Sequence, residues 1–426
     1  MIRFLSPKLL QPGHALHGQR VDVTVHEGRI QALAAAGSAP AEEGDHDLDG
    51  HWISPGWWDG QVDFRDPGVE RAEGLAHGLQ TAAQGGFTRV APVASTRPCR
   101  DQPGEIVSLL HRSATAVCGV LPVAALSVDR AGQQLTEAHA LMEAGARAFS
   151  DDTPLERPEL LRRALEYHGP LGLPVFSEAH DPSFQPEGVM HEGPMSTALG
   201  LPGNSGESEL LRIGRDLDIL RYAGGRLHFP VITSSAGLQA VIAARKEGLK
   251  VTCGTTVHHL CWSDGDLEGF NTDLKLMPPL RSTSDREALV DGVLAGHIDV
   301  VVSDHRPRTP EEHDIDFMGV MPGIAGVHAV APLLAGSLLA RGASEEEALN
   351  ALFATLVAGP RQLLGTTQDA EGLVEGGAAE FTVFTLDAPS IPVSTSRAPN
   401  TVYGAGTAGC GCRVVGVVTP RGTSWN

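Results

Sequence analysis

Short apolar runs recur along the middle of the chain, and a segment with helical spacing of its apolar residues separates each run from the next. Runs rich in β-branched residues and apolar on both faces, such as Val300–Val302, are typical of parallel strands covered by helices. The eight runs lie at 52–64, 87–93, 118–126, 146–150, 173–177, 226–233, 249–254 and 298–303. We therefore predict an α/β fold, with a (β/α)8 barrel of the TIM type.

The segments between the runs predict the helices of this barrel. Leu210, Ile213 and Leu217 fall on one face of the segment 209–223, which two glycines terminate. Residues 284–287, Ser-Asp-Arg-Glu, have the spacing of a capping box and predict the start of another helix.

Both ends of the chain return to short strands with alternating apolar residues. Such strands are expected at 21–25, 28–33, 380–384 and 413–418. We predict that the two ends build one small composite β-sandwich domain beside the barrel. The predicted divisions are 1–52 and 359–426 for the β domain and 53–358 for the barrel.

Charge and cysteine content restrict the environment and the partners. The formal net charge of −20 repels nucleic acid and anionic membrane, so we expect neither as a partner. Six cysteines are scattered without the spacing of a disulfide framework, which is typical of a reducing compartment. The first residues lack the long apolar core of a signal peptide, so we expect a cytoplasmic protein.

Candidate chemistry follows from the barrel, because active sites in this architecture lie at the carboxyl ends of the strands. The polar residues that follow the runs are Gln61, Asp63 and Arg65, then Asp151 and Asp152, then Glu178 and His180, and finally Asp304, His305 and Arg308. The long loop 305–326, rich in arginine, proline and glycine, is expected to lie over this face of the barrel.

Several ordered motifs resemble the dihydroorotase family. Residues 55–68, PGWWDGQVDFRDPG, are similar to the family signature P-G-x-x-D-x-H-x-H-x-R-x-P-G. Further similar segments follow in order, namely AQGGFT at 83–88, AFSDD at 148–152, EGVMHEG at 187–193, LGLPG at 199–203, HHL at 258–260, PPLR at 278–281, SDH at 303–305 and GIAG at 323–326. The resemblance covers nearly the whole chain and implies the long single-chain type with a composite β domain.

The same resemblance shows which family residues this chain lacks. The family's metal-binding histidines fall on Gln61, Asp63, Glu178 and Val231. Its bridging carboxylate falls on Asp151, with the adjacent Asp152 as the alternative. Its catalytic base, which takes the proton of the metal-bound water, is retained as Asp304.

The family's substrate contacts are also altered. Its arginine is retained as Arg65, whereas its two asparagines fall on Ser95 and Met277 and its last histidine falls on Arg308. Zinc prefers imidazole and thiolate ligands, so loss of all four imidazoles predicts that no zinc pair or other cofactor is bound. On this interpretation Asp304 is a vestigial base and the protein is a pseudoenzyme.

An altered metal site is the alternative. Asp63, Asp151, Glu178 and Asp304, with Gln61, offer oxygen ligands suited to magnesium, manganese or calcium, and residual zinc binding stays open. Without a metal, crowded carboxylates need a proton, another cation or a rearranged loop to relieve their repulsion. Arg65 and Arg308 are the expected partners if the site is salt-bridged instead.

Three functions remain open from the sequence. The resemblance to catalytically inactive dihydroorotase homologues implies a structural partner of aspartate transcarbamoylase, or a homo-oligomer. The second function is an active cyclic amidohydrolase with the carboxylate-rich metal site. The third is a binding module for an anionic, pyrimidine-like metabolite held by Arg65 and Arg308.

Overall fold

A computed structural model describes residues 1–37, 42–366, 369, 372–386, 395–401 and 411–426. Its strands are β1 (Ile2–Leu5), β2 (Lys8–Leu9), β3 (Val21–His26), β4 (Arg29–Ala35), β5 (His46–Asp47), β6 (Trp52–Pro55), β7 (Trp57–Val62), β8 (Phe87–Pro92), β9 (Gly119–Val120), β10 (Val123–Ala124), β11 (Ala148–Phe149), β12 (Val175–Phe176), β13 (Met190–His191), β14 (Gly203–Asn204), β15 (Leu227–Phe229), β16 (Val251–Thr256), β17 (Val300–Val302), β18 (Phe381–Thr385), β19 (Arg413–Thr419) and β20 (Gly422–Trp425).

The α-helices lie mainly between the strands of the barrel. They are α1 (Leu75–Gln84), α2 (Pro103–Arg112), α3 (Ala138–Glu143), α4 (Pro158–His168), α5 (Pro194–Leu199), α6 (Gly206–Ala223), α7 (Ser235–Lys246), α8 (Val257–Cys261), α9 (Thr283–Leu294), α10 (Pro310–His313), α11 (Val330–Ala340), α12 (Glu345–Phe353) and α13 (Gly359–Leu364). None of the described helices is long and apolar enough to cross a membrane.

The predicted barrel is confirmed. Parallel strands run in the orders β7-β8-β9 and β10-β11-β12-β15-β16-β17, and β9 and β10 belong to the same predicted run. Pro122 lies between them and has no backbone N–H to donate, which accounts for the interruption. A parallel bridge between Val62 and His305 joins the first strand to the segment after the last, so the sheet closes.

The prediction of one strand at 52–64 was wrong, because the structure has two strands there, β6 and β7. The chain divides at Gly56, where an added Cβ would lie 2.2 Å from the Thr88 hydroxyl oxygen. β6 before this glycine pairs antiparallel with β18, whereas β7 after it pairs with β8 in the barrel. One apolar run thus supplies a strand to each domain.

The composite β-sandwich is built from both ends of the chain. Its sheets have the orders β4-β3-β1-β5 and β2-β6-β18-β19-β20. Their apolar faces share a core that includes Phe4, Val23, Ile53, Phe381 and Val418. The exact domain divisions at residues 52 and 358 stay a prediction, and part of the predicted C-terminal segment lies outside the described residues.

Helix starts follow the hydroxyl caps closely. The side chain of Ser205 accepts a hydrogen bond from the Glu207 N–H at the start of α6. The start predicted at Ser284 was wrong, because α9 is capped two residues earlier by Ser282, which accepts from the Asp285 N–H. The segment 282–285 has the same cap spacing as the predicted one.

Candidate functional site

A cleft of about 250 Å³ lies at the carboxyl ends of the barrel strands. It is lined by Asp152, Thr153, Pro154, Glu178, His180, Leu276, Met277, Asp304, Arg306, Arg308, Pro322 and Gly323. The loop 305–326 supplies four of these residues, as its predicted place over the barrel face requires. The structure therefore brings together residues that are up to 171 positions apart in the sequence (323 − 152 = 171).

A guanidinium occupies the centre of the acidic residues in the cleft. Arg306 Nη2 and Nη1 donate to the two carboxylate oxygens of Asp152 at 2.7 and 3.1 Å, and Arg306 Nε donates to Asp304 Oδ1 at 2.8 Å. Burial opposes its charge, but Asp152 and Asp304, helped by Asp63, hold the pKa of Arg306 well above its usual value. Arg306 is thus a permanent cation inside the cluster.

Asp304, the predicted base, is held by two donors. Besides Arg306, the Gln61 side-chain amide donates to Asp304 Oδ1 at 2.8 Å. Burial raises the pKa of Asp304, and the charge of Arg306 and the Gln61 hydrogen bond only partly offset this. Gln61 therefore acts as a hydrogen-bond donor to a neighbouring acid in this structure.

Asp151 and Asp152 face different environments. Asp151 accepts from the backbone N–H and the hydroxyl of Ser127, at 2.8 and 2.5 Å, and does not line the cleft. Asp152 lines the cleft, and burial of its carboxyl is outweighed by the charge of Arg306, which lowers its pKa. The acid that lines the cleft is therefore Asp152, the alternative, and Asp151 is bound to Ser127 instead; which of the two corresponds to the family's bridging carboxylate stays a prediction.

Glu178 is the acid without a cationic partner. It is 8% exposed, and its Oε1 accepts no hydrogen bond from any described residue. Burial, together with the negative charges of Asp152 and Asp304, raises the pKa of Glu178 to about 8. Near neutral pH its carboxyl is consequently protonated. Two features relieve the repulsion expected among the acids. The guanidinium of Arg306 supplies a positive charge, and the raised pKa of Glu178 favours its neutral form.

The other two positions of the missing histidines offer little to a metal. Asp63 is buried, and its Oδ1 accepts the Arg65 backbone N–H at 2.7 Å. Val231 follows β15, is 2% exposed, and has no donor atom in its side chain. Only oxygen ligands remain where the family resemblance implies four imidazoles.

The predicted substrate contacts are occupied by groups of the protein. Arg65 forms two hydrogen bonds with Glu312, at 2.5 and 3.0 Å, and Arg308 donates to the Pro322 carbonyl. Ser95 donates its hydroxyl to Asp152 at 2.5 Å. Met277 lines the cleft with an apolar side chain. Neither Arg65 nor Arg308 pairs with the acids of the cleft, so their expected role as salt-bridge partners was wrong.

Two histidines near the strand ends make side-chain hydrogen bonds within the protein, whereas Nδ1 of His180 and Nε2 of His305 are buried and form no hydrogen bond with any described residue. His258 Nε2 lies 2.9 Å from the Ser303 carbonyl oxygen, and His259 Nδ1 lies 2.8 Å from the Thr256 hydroxyl. Burial lowers the pKa of His180 to about 4, and the charges of Arg212 and Arg281 add to this effect. His180 lines the cleft as a neutral ring.

These residues do not fit a zinc pair. Within the part of the chain that the structure describes, the sole group of three His, Cys, Asp or Glu side chains with ligand atoms within 4.8 Å is Cys99, Asp101 and Asp129, which do not line the cleft. The acids that do line the cleft surround a guanidinium, which donates hydrogen bonds and has no coordination position.

Arg306 is the residue that sequence reasoning missed. The family motifs show which ligands this chain lacks, and they do not show that it has gained a cation at residue 306. The indication was present, because Arg306 follows Asp304 by two residues in the loop over the barrel face. An arginine so close to the last strand and to several carboxylates predicts an ion pair.

Strained backbone marks the same place. Arg65, Asp152 and Asp304 have φ values of 56°, 50° and 42°, in the left-handed region that residues with a Cβ seldom adopt. Such conformations cost on the order of 1–3 kcal/mol and tend to cluster at functional sites. The backbone at the strand ends therefore keeps a geometry suited to a site, although the side chains differ.

Comparison with known proteins gives one consistent result. The family model described as Dihydro-orotase-like matches residues 50–236. Dihydroorotase from Anaeromyxobacter dehalogenans strain 2CP-C is 34% identical over 89% of this chain and 87% of its own length. Dihydroorotase from Thermus aquaticus is 37% identical over 81% of each chain. The solved L-hydantoinase from Arthrobacter aurescens has a similar fold, with a TM-score of 0.83 and 18% identity over 99% of this chain and 95% of its own.

Proposed function

Since the chain belongs to the dihydroorotase family, we propose that it is a dihydroorotase-like protein of pyrimidine biosynthesis that has lost catalytic activity. The observation that carries this proposal is the Arg306 guanidinium, bound between Asp152 and Asp304 at the barrel mouth. A fixed organic cation stands among the acids there, and Val231 replaces a ligand with an aliphatic side chain.

The chemistry of the reaction supports the loss of activity. Hydrolysis of a cyclic amide near neutral pH needs an activated water, and bound zinc lowers the pKa of water from ~15.7 to about 7. A guanidinium does not bind water as a Lewis acid. Asp304, the family base, instead accepts hydrogen bonds from Gln61 and Arg306. Both hydrogen bonds go to Oδ1 of Asp304, so on this proposal the base is held by Arg306 and Gln61 and has no metal-bound water to deprotonate.

Zinc content and turnover test this proposal directly. Protein purified without chelator is expected to contain well under one zinc per chain and to interconvert dihydroorotate and carbamoyl aspartate no faster than buffer. A histidine-complete dihydroorotase purified in parallel serves as the positive control. Two tightly bound zinc ions, or turnover that disappears in Asp304→Asn, would contradict the proposal.

The proposed role is to support aspartate transcarbamoylase as a structural partner in the cytoplasm. The intact scaffold favours it: the barrel is closed, α6, α7 and α9 keep their serine caps, and the β-sandwich is complete in its core. The alterations concentrate instead at the strand ends of the cleft. If the protein acts by binding a partner through its outer surface, the scaffold must stay intact while the residues of the cleft are free to change.

Co-expression with the transcarbamoylase of the same organism tests the role. A mixed complex is expected on gel filtration, and the transcarbamoylase alone is expected to lose activity or solubility. The double variant Asp152→Asn/Asp304→Asn should retain this support, once circular dichroism shows that it is folded. Separate elution at micromolar concentration would refute the partnership, and a homo-oligomer alone would then be the remaining assembly.

The second candidate is an active hydrolase with an altered metal site, which the names of the similar dihydroorotases favour. Glu178, with an oxygen that accepts no hydrogen bond from the described residues, lines the cleft with Asp152 and Asp304 and would be the first extra ligand. Turnover that appears on addition of manganese or magnesium to metal-stripped protein would support this candidate over the inactive one.

A further inference from the structure

We propose that Arg306 replaces the metal ions of the barrel mouth and excludes them, so that removal of its guanidinium opens a binding site for one divalent cation on Asp152, Asp304 and Glu178. This inference rests on the part of the proposed function that denies the wild-type barrel a zinc pair. It does not depend on the transcarbamoylase.

The position of the guanidinium is fixed by its backbone. The Arg306 N–H donates to the Ile324 carbonyl, and the Arg306 carbonyl accepts from the Asn400 side-chain amide, each at 2.9 Å. On one side, the preceding residue, His305, forms parallel bridges with Val62 and Ile324. These backbone hydrogen bonds and bridges fix the loop at Arg306. The Arg306 side chain therefore starts from a fixed backbone position and loses little conformational entropy when it binds the acids.

The hydrogen bonds of Arg306 use the atoms that a metal would need. Both carboxylate oxygens of Asp152 and one oxygen of Asp304 accept from it. Carboxylate oxygens are the preferred ligands of magnesium, manganese and calcium. The Arg306 side chain is only 20% exposed. Its guanidinium is tethered beside these oxygens, so it competes with metal ions from solution at a very high effective concentration.

Removal of Arg306 would leave the acids of the cleft without the cation that balances their negative charge. Asp152, Asp304 and Glu178 line the cleft together, and the Glu178 oxygen that accepts no hydrogen bond among the described residues is buried. With Arg306 in place, these three acids do not bring one ligand atom each within 4.8 Å of one another, so a cation that replaces the guanidinium must draw them together. Truncation of Arg306 leaves Asp152 and Asp304 without their ion pair, which is a strongly unfavourable arrangement for buried carboxylates. A divalent ion from solution relieves it.

Arg308 provides a matched control in the same cleft. It carries the same charge and is 7% exposed, but its guanidinium donates to the Pro322 carbonyl and not to a carboxylate. Arg308→Ala therefore makes the same change in net charge and in side-chain volume without freeing a metal ligand. A general electrostatic effect would appear in both variants, and a specific one only at Arg306.

Manganese binding to chelator-treated, dialysed protein tests the inference by titration calorimetry and by the paramagnetic signal of free Mn²⁺. Arg306→Ala is expected to bind one Mn²⁺ per chain at least tenfold more tightly than the wild type or Arg308→Ala, with a matching upward shift of Tm. Addition of Asp152→Asn to Arg306→Ala should weaken the binding at least tenfold. Arg306→Lys should resemble the wild type, because it keeps a cation.

Arg306→Gln keeps a hydrogen-bond donor and tests the same point if Arg306→Ala does not fold. The inference fails if folded Arg306→Ala or Arg306→Gln binds Mn²⁺ no more tightly than Arg308→Ala, or if the wild type binds it equally well. A zinc pair in the wild type would overturn both this inference and the proposed loss of activity. A metal-free, inactive wild type with a metal-free Arg306→Ala would overturn this inference alone.

Discussion

Two buried ionic clusters lie in different parts of the barrel, and they differ in charge balance. The mouth cluster consists of Arg306, Asp152, Asp304 and Glu178. The junction cluster, between the barrel and the β-sandwich, consists of Glu380, Arg89, Arg361 and Asp369. In the junction cluster Glu380 accepts from Trp58 Nε1 at 2.9 Å, from the Thr88 hydroxyl at 2.8 Å and from Arg89 Nε and Nη2 at 3.1 and 2.8 Å.

The difference in balance has a measurable consequence. Burial raises the pKa of Glu380, but Arg89 and Arg361 outweigh burial and hold it below its usual value. Both guanidiniums also lie over the Trp58 ring, at 4.8 and 4.5 Å from its centroid. In the mouth cluster one guanidinium pairs with Asp152 and Asp304, and burial beside these two acids raises the pKa of Glu178 to about 8. A balanced cluster is typical of structural ion pairing, whereas a carboxyl group with a strongly raised pKa in a cleft is typical of a functional site.

Glu380→Ala should break the junction cluster and produce the largest loss of stability. It leaves the partly buried Arg89 without one of its two carboxylate partners, and it removes the acceptor of the Trp58 indole and one acceptor of Thr88. We expect the free energy of unfolding to fall by about 3–5 kcal/mol, as for removal of one partner from a buried ion pair. Urea unfolding measures the loss, and Glu380→Gln, which keeps an acceptor, should lose less. A loss below about 1 kcal/mol would show that the two clusters do not differ as described.

Glu178→Gln should sharpen the comparison through its pH dependence. The pKa of Glu178 is about 8 in the folded state, and 4.5 is the reference value for the unfolded chain. Between these two pH values the carboxyl is protonated in the folded state and ionised in the unfolded chain. The folded state then binds more protons, so stability falls as pH rises from about 4.5 to about 8, at up to about 1.4 kcal/mol per pH unit.

The variant removes this fall, so its stability relative to the wild type should increase across the window and level off above it. Unfolding midpoints in urea at several pH values measure the difference. Glu166→Gln is the control for the same substitution at an exposed position of α4. A difference between wild type and Glu178→Gln that stays constant from pH 5 to pH 8 would contradict protonation of Glu178.

Arg162→Ala should give the smallest effect and set the baseline for both clusters. Arg162 pairs with Glu166 at 2.7 Å on α4, but their side chains are 37% and 42% exposed. Exposed pairs one helical turn apart contribute about 0.3–0.5 kcal/mol, and salt screens them. A loss above about 1 kcal/mol would mean that the geometry of ion pairs outweighs their burial in this protein.

The fold could be predicted from the sequence because the barrel strands are short apolar runs, and the segments between them have apolar residues at helical spacing. The failures were local. Gly56 divides a continuous apolar run, since only the close approach of Thr88 shows that the chain must turn there. Ser282 and Ser284 both satisfy the spacing of a helix cap, and the packing of α9 decides between them.

The site could be predicted less completely. The family motifs pointed to Glu178 and Asp304, which line the cleft, and to Gln61, which donates to Asp304, because strand ends in a closed barrel point to one face. They could not distinguish Asp151 from Asp152, since β11 is only two residues long and the following turn decides which carboxyl enters the cleft. Arg306 was missed although Asp304 lies only two residues before it, because its second partner, Asp152, is 154 positions away and sequence spacing does not show such a contact.

The five-stranded sheet also has a consequence for the order of synthesis. Trp58, in the first barrel strand, donates its indole N–H to Glu380, a residue 322 positions later. At about 5–20 residues per second, the ribosome delivers that acceptor roughly 15–65 s after Trp58 emerges. Until then β6 lacks β18, and the start of the barrel has an exposed edge. During most of its synthesis the chain therefore carries β6 without its neighbour β18, and this edge is open to pairing with other chains until residue 381 has been added.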